Sequence, residues 1–285
     1  MHKMLSKLQA VVYFTCADDG IGPFDRSTAS QQSLMELFIF GVNEPEKICG
    51  SREDPDDVCE WAGVECNADG EVEEFHWVFQ QEAGTGTLGF EFLPWSMKIA
   101  VMWNNARSGT IQLADLPGKT EGVYLSVNQL TGSLELDRLP ATVRELDLSE
   151  NEFIEEIFLG NLPKGLKSLA LSDNQLSGTI CLISVPPDLE YLHLQKNNFE
   201  GSLDFTQLPA SLRVLYLSEN HFSGTINLGN LPESIVALDV SKNTLSANPT
   251  KGHLSVVGWT STPVLGEAKN LFKPLVVFLS WRRPY

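Results

Sequence analysis

No apolar run in this chain approaches the roughly 18 consecutive residues that a membrane-spanning helix requires, so a span is not expected. Basic residues are few: 20 Lys and Arg stand against 37 Asp and Glu, for a formal net charge of −17. A surface that acidic repels the phosphates of nucleic acid and of acidic membranes, and nucleic acid is excluded as an expected partner. No Asn-x-Ser/Thr acceptor is present, because the near match Asn248-Pro249-Thr250 is blocked by its proline. Catalytic signatures are missing too. There is no GxSxG, no HExxH, no phosphate-loop glycine pattern and no paired-cysteine metal module. His2, His76, His193, His221 and His253 lie apart from any serine or cysteine nucleophile motif. The acidic run Glu53-Asp54-Pro55-Asp56-Asp57 lacks the spaced ligands and turn glycine of a calcium loop and reads as a solvated loop. No metal, no cofactor and no enzymatic activity is expected.

What is present is repetition. The 285 residues are 42% apolar, enough for a packed core in one large domain or two small ones. A Leu-Pro pair or its equivalent falls at Leu93, Leu116, Leu139, Leu162, Val185, Leu208 and Leu231, always 23 residues apart. Other columns keep the same period. One holds Ala100, Val123, Leu146, Leu169, Leu192, Leu215 and Leu238, and another, two residues on, holds Met102, Leu125, Leu148, Leu171, Leu194, Leu217 and Val240. An unbroken asparagine column follows: Asn105, Asn128, Asn151, Asn174, Asn197, Asn220 and Asn243.

The physics of these columns is direct. The spacing of two in LxL turns both leucines to one side of a short strand. Strands stacked in parallel bury the leucines in one continuous core that no single repeat could form alone. Each buried leucine is worth roughly 1.5–3 kcal/mol. The asparagine amide can bond unpaired backbone groups where the chain turns out of the strand, and stacked copies make a ladder.

After each asparagine comes a second signature, as in Ser108-Gly109-Thr110-Ile111, Thr131-Gly132-Ser133-Leu134, Ser177-Gly178-Thr179-Ile180 and Ser223-Gly224-Thr225-Ile226. Together these motifs resemble the plant-type leucine-rich repeats, LxxLxLxxNxLSGxI, and are similar to repeats of protist surface and secreted proteins. The resemblance covers roughly residues 28 to 247. It implies an α/β leucine-rich-repeat solenoid: a curved parallel sheet on the concave face, short strands or irregular chain on the convex side, and a helical N-terminal cap. Repeat 139–161 departs, with Glu155 and Glu156 where glycine and a small residue usually stand, and a local irregularity is expected there.

The ends need covers. Ser30 to Gly41, SQQSLMELFIFG, begins with a helix-capping serine and spaces Leu34, Leu37 and Phe38 as a helix does. Cys59-Glu60-Trp61-Ala62-Gly63-Val64-Glu65-Cys66 resembles the CxWxGVxC cap of plant-type repeats. That likeness implies a Cys59–Cys66 disulfide and a Trp61 packed on the first repeat, and a zinc reading is the weaker one because no second ligand pair has suitable spacing. Val72, Phe75 and Trp77 give a first degenerate unit, followed by Gly86-Thr87-Leu88 after an apparent insertion of two residues.

The expected organisation is therefore a cap over 18–69, repeats over 70–247 and a C-terminal cap or tail over 248–285. Residues 1–17 have a weakly basic start, a short apolar run and Ala17 in a cleavage-like position. They read either as a signal peptide or as a ragged start before the first helix. With Cys16, Cys49, Cys59, Cys66 and Cys181 the count is odd. A disulfide in the cap implies a secreted or cell-surface protein, whereas reduced cysteines imply a cytoplasmic one.

The residues free to vary are those alternating with the inward leucines on the concave face. Ile99, Val101, Trp103 and Tyr124 form an apolar-aromatic zone, Glu145, Asp147, Glu150 and Asp173 an acidic middle, and Tyr191, His193, Gln195, Lys196 and Tyr216 a mixed aromatic-polar zone. Exposed aromatics are enriched at interface hot spots, although strands favour aromatics anyway and the cap could cover the first zone. The expected ligand site is thus Tyr191, His193, Gln195, Lys196, Tyr216, Tyr124, Trp103, Asp147 and Glu145. The expected partner is a protein or peptide, with a glycan as another class such a face can take. An intracellular scaffold or regulatory subunit is the alternative reading. A glycan-active enzyme is a remote one, resting on Glu145 and Asp147 as the adjacent carboxylates of the face.

Overall fold

A computed structural model describes residues 28–79, 86–106, 108–247 and 276–277. The 1–17 segment, and the 248–285 tail apart from Val276 and Val277, lie outside the described residues.

The LxL periodicity becomes a ten-stranded sheet in the order β1 (Val64–Cys66), β2 (Val72–His76), β3 (Ile99–Val101), β5 (Gly122–Tyr124), β7 (Glu145–Asp147), β9 (Ser168–Ala170), β11 (Tyr191–His193), β13 (Val214–Tyr216), β15 (Ala237–Asp239) and β17 (Val276–Val277). The strands from β2 to β15 run parallel, while β1 and β17 pair antiparallel at the two ends. The register is fixed by the repeat: Leu192 lies opposite Leu169 and Leu215, each 23 residues away. Phe75 instead pairs with Ala100, a separation of 25, which places the two extra residues of the first unit between β2 and β3.

The SGxI halves form a second sheet of seven strands, which includes β4 (Ser108–Thr110), β6 (Gln129–Gly132), β8 (Glu152–Glu156), β10 (Gln175–Thr179), β12 (Asn198–Ser202), β14 (His221–Ile226) and β16 (Thr244–Ala247). Between the two sheets the leucine columns merge with Phe153, Phe199 and Phe222 in one continuous core, most of it without solvent exposure.

At the N-terminal end, helix α1 (Gln31–Phe38) begins as its sequence directs, with the Ser30 side chain accepting a hydrogen bond from the Ser33 amide at 3.1 Å. Leu34, Met35 and Phe38 bury one face and Leu37 lies half-buried, so the helix is turned slightly from its expected orientation. Cys59 and Cys66 are disulfide-bonded. Trp61 is buried and its indole donates to the Asp56 carbonyl at 2.9 Å, which ties the acidic loop to the cap. Gly86 bridges Val42 of the cap and accepts from the Ser108 amide.

The asparagine column is a hydrogen-bonded ladder. The Asn151 amide nitrogen donates to the Leu125, Leu148 and Ser149 carbonyls at 3.0–3.1 Å, and its oxygen accepts from the Leu130 amide at 3.0 Å. Asn174, Asn197, Asn220 and Asn243 repeat this pattern one turn further on each time. To swing each asparagine inward, the residue before it takes a left-handed backbone: Val127, Glu150, Asp173, Lys196, Glu219 and Lys242 have φ between 53° and 56°.

The irregularity expected in repeat 139–161 takes a different form. Strand β8 is unbroken and pairs on both sides, but Glu155 adopts φ 73° at a position where Gly132, Gly178, Gly201 and Gly224 stand in other repeats. Stacking on β6 and β10 outweighs the cost of a Cβ in that conformation, about 1–2 kcal/mol.

Two outcomes follow for equilibrium urea unfolding. Glu155→Gly raises stability by about 1 kcal/mol by removing that strain. Asn151→Ala lowers it by about 3 kcal/mol, because several buried backbone groups lose their partners together. A loss under about 1 kcal/mol would show that the ladder is dispensable.

Candidate functional site

The parallel register puts the outward residues of the concave sheet in straight rows. One row is Glu74, Ile99, Gly122, Glu145, Ser168, Tyr191, Val214 and Ala237, and the next is His76, Val101, Tyr124, Asp147, Ala170, His193, Tyr216 and Asp239. Just past the strands lies a third row: Val78, Trp103, Ser126, Ser149, Ser172, Gln195, Ser218 and Ser241. The expected site residues Tyr191, His193, Gln195, Tyr216, Tyr124, Trp103, Asp147 and Glu145 all stand in these rows, while Lys196 lies at their margin in the left-handed turn.

The structure groups them into two places. Near the N-terminal end, His76, Val101, Trp103, Tyr124, Ser126 and Asp147 line a cleft of about 390 Å³ on the open face. No described residue of the cap lines it. Phe79, just beyond β2, packs edge-on against Trp103 with ring centroids 4.1 Å apart and fixes that wall. The Tyr124 hydroxyl donates to the Glu145 carboxylate at 2.6 Å. Burial, helped by that carboxylate, holds the Tyr124 phenol protonated well above the usual tyrosine range. The Asp147 carboxylate accepts from the Ser149 amide at 3.0 Å. Glu145 and Asp147 thus have separate partners.

The second place is on β11 and β13. The His193 and Tyr216 rings lie side by side, centroids 5.0 Å apart and tilted by 30°. His193 Nε2 and Gln195 Oε1 are buried and make no hydrogen bond among the described residues. Tyr191 is half-buried in the adjacent row. Lys196 belongs to the acidic middle rather than to this group, because its ammonium pairs with Asp173 at 2.9 Å. Burial pushes the His193 imidazole below its ordinary value, with the Asp147 carboxylate acting weakly against that shift.

Sequence reasoning did not assign His76, Ser126 and Phe79 to a site. His76 and Ser126 occupy the outward rows and were legible there, whereas Phe79 lies outside the repeat pattern. Among the described residues one trio, Glu65, Glu74 and His76, brings its ligand atoms within 4.8 Å of one another and could approach a metal ion. His76 Nε2 and Glu74 Oε2 are already hydrogen-bonded at 2.8 Å.

Comparison with known proteins agrees with the fold. The profile of the family described as Leucine Rich Repeat matches residues 211–238. A search of curated proteins finds no match. Among solved structures, the ectodomain of the plant receptor kinase GASSHO1/SCHENGEN3 from Arabidopsis thaliana, solved with CASPARIAN STRIP INTEGRITY FACTOR 2, is 23% identical with TM-score 0.55, covering 76% of this chain and 33% of its own. The Arabidopsis receptor kinase HAESA, solved with the peptide hormone IDA and the co-receptor SERK1, is 23% identical with TM-score 0.55, covering 75% of this chain and 46% of its own. A plant ice-binding protein is 20% identical with TM-score 0.51, covering 75% and 79%. The chain thus spans a third to just under half of the two receptor ectodomains.

The buried imidazole gives a pH dependence. Because its folded value lies below the ordinary 6.5, the folded state binds fewer protons there than the unfolded chain. The stability His193 contributes is therefore complete above about pH 6.5 and is lost as pH falls below it. His193→Gln flattens the stability curve in that acidic window, as checked by urea unfolding at a series of pH values, and an unchanged slope refutes the assignment.

Proposed function

We propose that this leucine-rich-repeat solenoid is a non-catalytic recognition module, working outside the cell or at its surface, that binds a peptide or protein segment along its concave face. The observation that carries this reading is the Tyr191, His193, Gln195 and Tyr216 group. Two aromatic rings lie side by side on the concave face, and one of them, His193, carries an Nε2 that, like Gln195 Oε1, is buried with no hydrogen-bond partner among the described residues. Each such atom costs about 1–3 kcal/mol while unsatisfied, and a side-chain rotation that turns it toward a ligand recovers that cost. Peptides offer the needed donors and acceptors at every residue, and rigid aromatics supply contact area with little entropy to lose.

The Cys59–Cys66 bond supports the extracellular placement, because cytosolic thiols keep such pairs reduced. Among the described residues no helix is long and apolar enough to cross a membrane. Two of the similar ectodomains were solved with a bound factor or hormone.

The test is a random-peptide display selection on the immobilised chain, followed by affinity measurement of an enriched peptide. Tyr191→Ala/His193→Ala/Tyr216→Ala weakens binding at least about tenfold, the 1.4 kcal/mol that a modest hot spot supplies. Equal affinity for both forms removes this patch as the site.

A further inference from the structure

We infer that the cleft between β3 and β7 is a receptor for an arginine side chain of the bound peptide, a specificity that rests on the proposed peptide-binding reading.

The three outward rows carry the carboxylates of Glu74, Glu145, Asp147 and Asp239 and neither lysine nor arginine. Lys98 and Lys196 lie at the margins, paired with Glu73 at 2.7 Å and Asp173 at 2.9 Å. Within the rows His76 Nε2 and Glu74 Oε2 are hydrogen-bonded at 2.8 Å, while Glu145, Asp147 and Asp239 meet no lysine or arginine of the rows, and the resulting negative field favours a cationic ligand.

The lining of the cleft has matching chemistry. Trp103 and Tyr124 offer aromatic surface, Val101 an apolar contact for a methylene stem, and Asp147 a carboxylate. Aromatic faces beside a carboxylate suit a cation. They suit guanidinium better than ammonium, because the planar fork stacks on rings while bonding a carboxylate through two N–H groups. Phe79 holds Trp103 in place. The Tyr124–Glu145 bond commits the phenol hydrogen to a carboxylate, so the hydroxyl oxygen faces an incoming donor as an acceptor. The cleft volume, about 390 Å³, lies within the range of small-ligand sites.

Tyr124 on β5 and His193 on β11 are three strands apart, with β7 and β9 between. At about 4.8 Å per strand that is roughly 14 Å, the span of about four extended residues. One short peptide can reach both places.

The test titrates the full chain, followed by NMR, with N-acetyl-arginine amide, its neutral isostere N-acetyl-citrulline amide, and N-acetyl-lysine amide. The arginine probe shifts the Trp103 indole and Tyr124 ring resonances saturably, with an affinity at least about tenfold above citrulline, as a charge-assisted contact requires. It binds more tightly than the lysine probe. Asp147→Asn, which keeps the acceptor for the Ser149 amide, abolishes the preference over citrulline, and Trp103→Leu weakens binding of the arginine probe with the fold checked by its amide spectrum. Ile183→Ala, on the exposed surface outside the concave rows, leaves the arginine shifts unchanged. Equal binding of arginine and citrulline, equal binding of arginine and lysine, or an undiminished preference in Asp147→Asn overturns the inference. The peptide reading fails separately, by the display selection, whatever the arginine probe does.

Discussion

The asparagine ladder is the constraint on which the rest of this structure depends. Every repeat must leave its concave strand, turn inward and start again one strand spacing further on. That turn strands backbone carbonyls and amides away from water. One amide side chain satisfies them, donating to three carbonyls and accepting from one amide across two successive turns. Burying such groups without partners would cost about 1–3 kcal/mol each, so the leucine core can stack only where the asparagines also stack. The ladder explains the unvarying period between Asn105 and Asn243, since one extra residue would carry each amide past its carbonyls.

Inward asparagines demand a left-handed residue in front of them, and the chain accepts that demand even from Val127, a β-branched side chain with φ 56°. Glu155 shows the same priority in the second sheet. In both places repeat stacking overrides local preference, because each strand is held by neighbours on both sides. The result is a scaffold whose outward rows are free to vary. Nothing in the core depends on whether position 124 is tyrosine or position 147 aspartate.

Much of this could be read from residues alone. The strands, the inward columns and the asparagine positions follow from a period of 23 and the rule that alternate strand residues face opposite sides. The capping helix followed from Ser30 and its apolar spacing. The outward rows were also legible, so every residue expected at the face stands on or beside it. How they group was not legible. The pattern groups Lys196 with the aromatic-polar zone, whereas its ammonium pairs with Asp173. The first aromatic zone is a cleft with His76 and Ser126 in its wall and no described cap residue lining it. Side-chain direction and pairing between repeats depend on rotamers and on neighbours 23 residues away, and periodicity is blind to both.

By itself, then, the sequence determined the solenoid, its register and which residues point outward, because those depend only on chain period and the alternation of a strand. The tertiary structure decided which outward residues act together. It brought Phe79 onto Trp103, joined Tyr124 to Glu145 across a strand gap, and laid His193 against Tyr216. These contacts arise only when parallel strands set distant repeats about 4.8 Å apart, and it is there that a uniform ladder acquires a particular binding face.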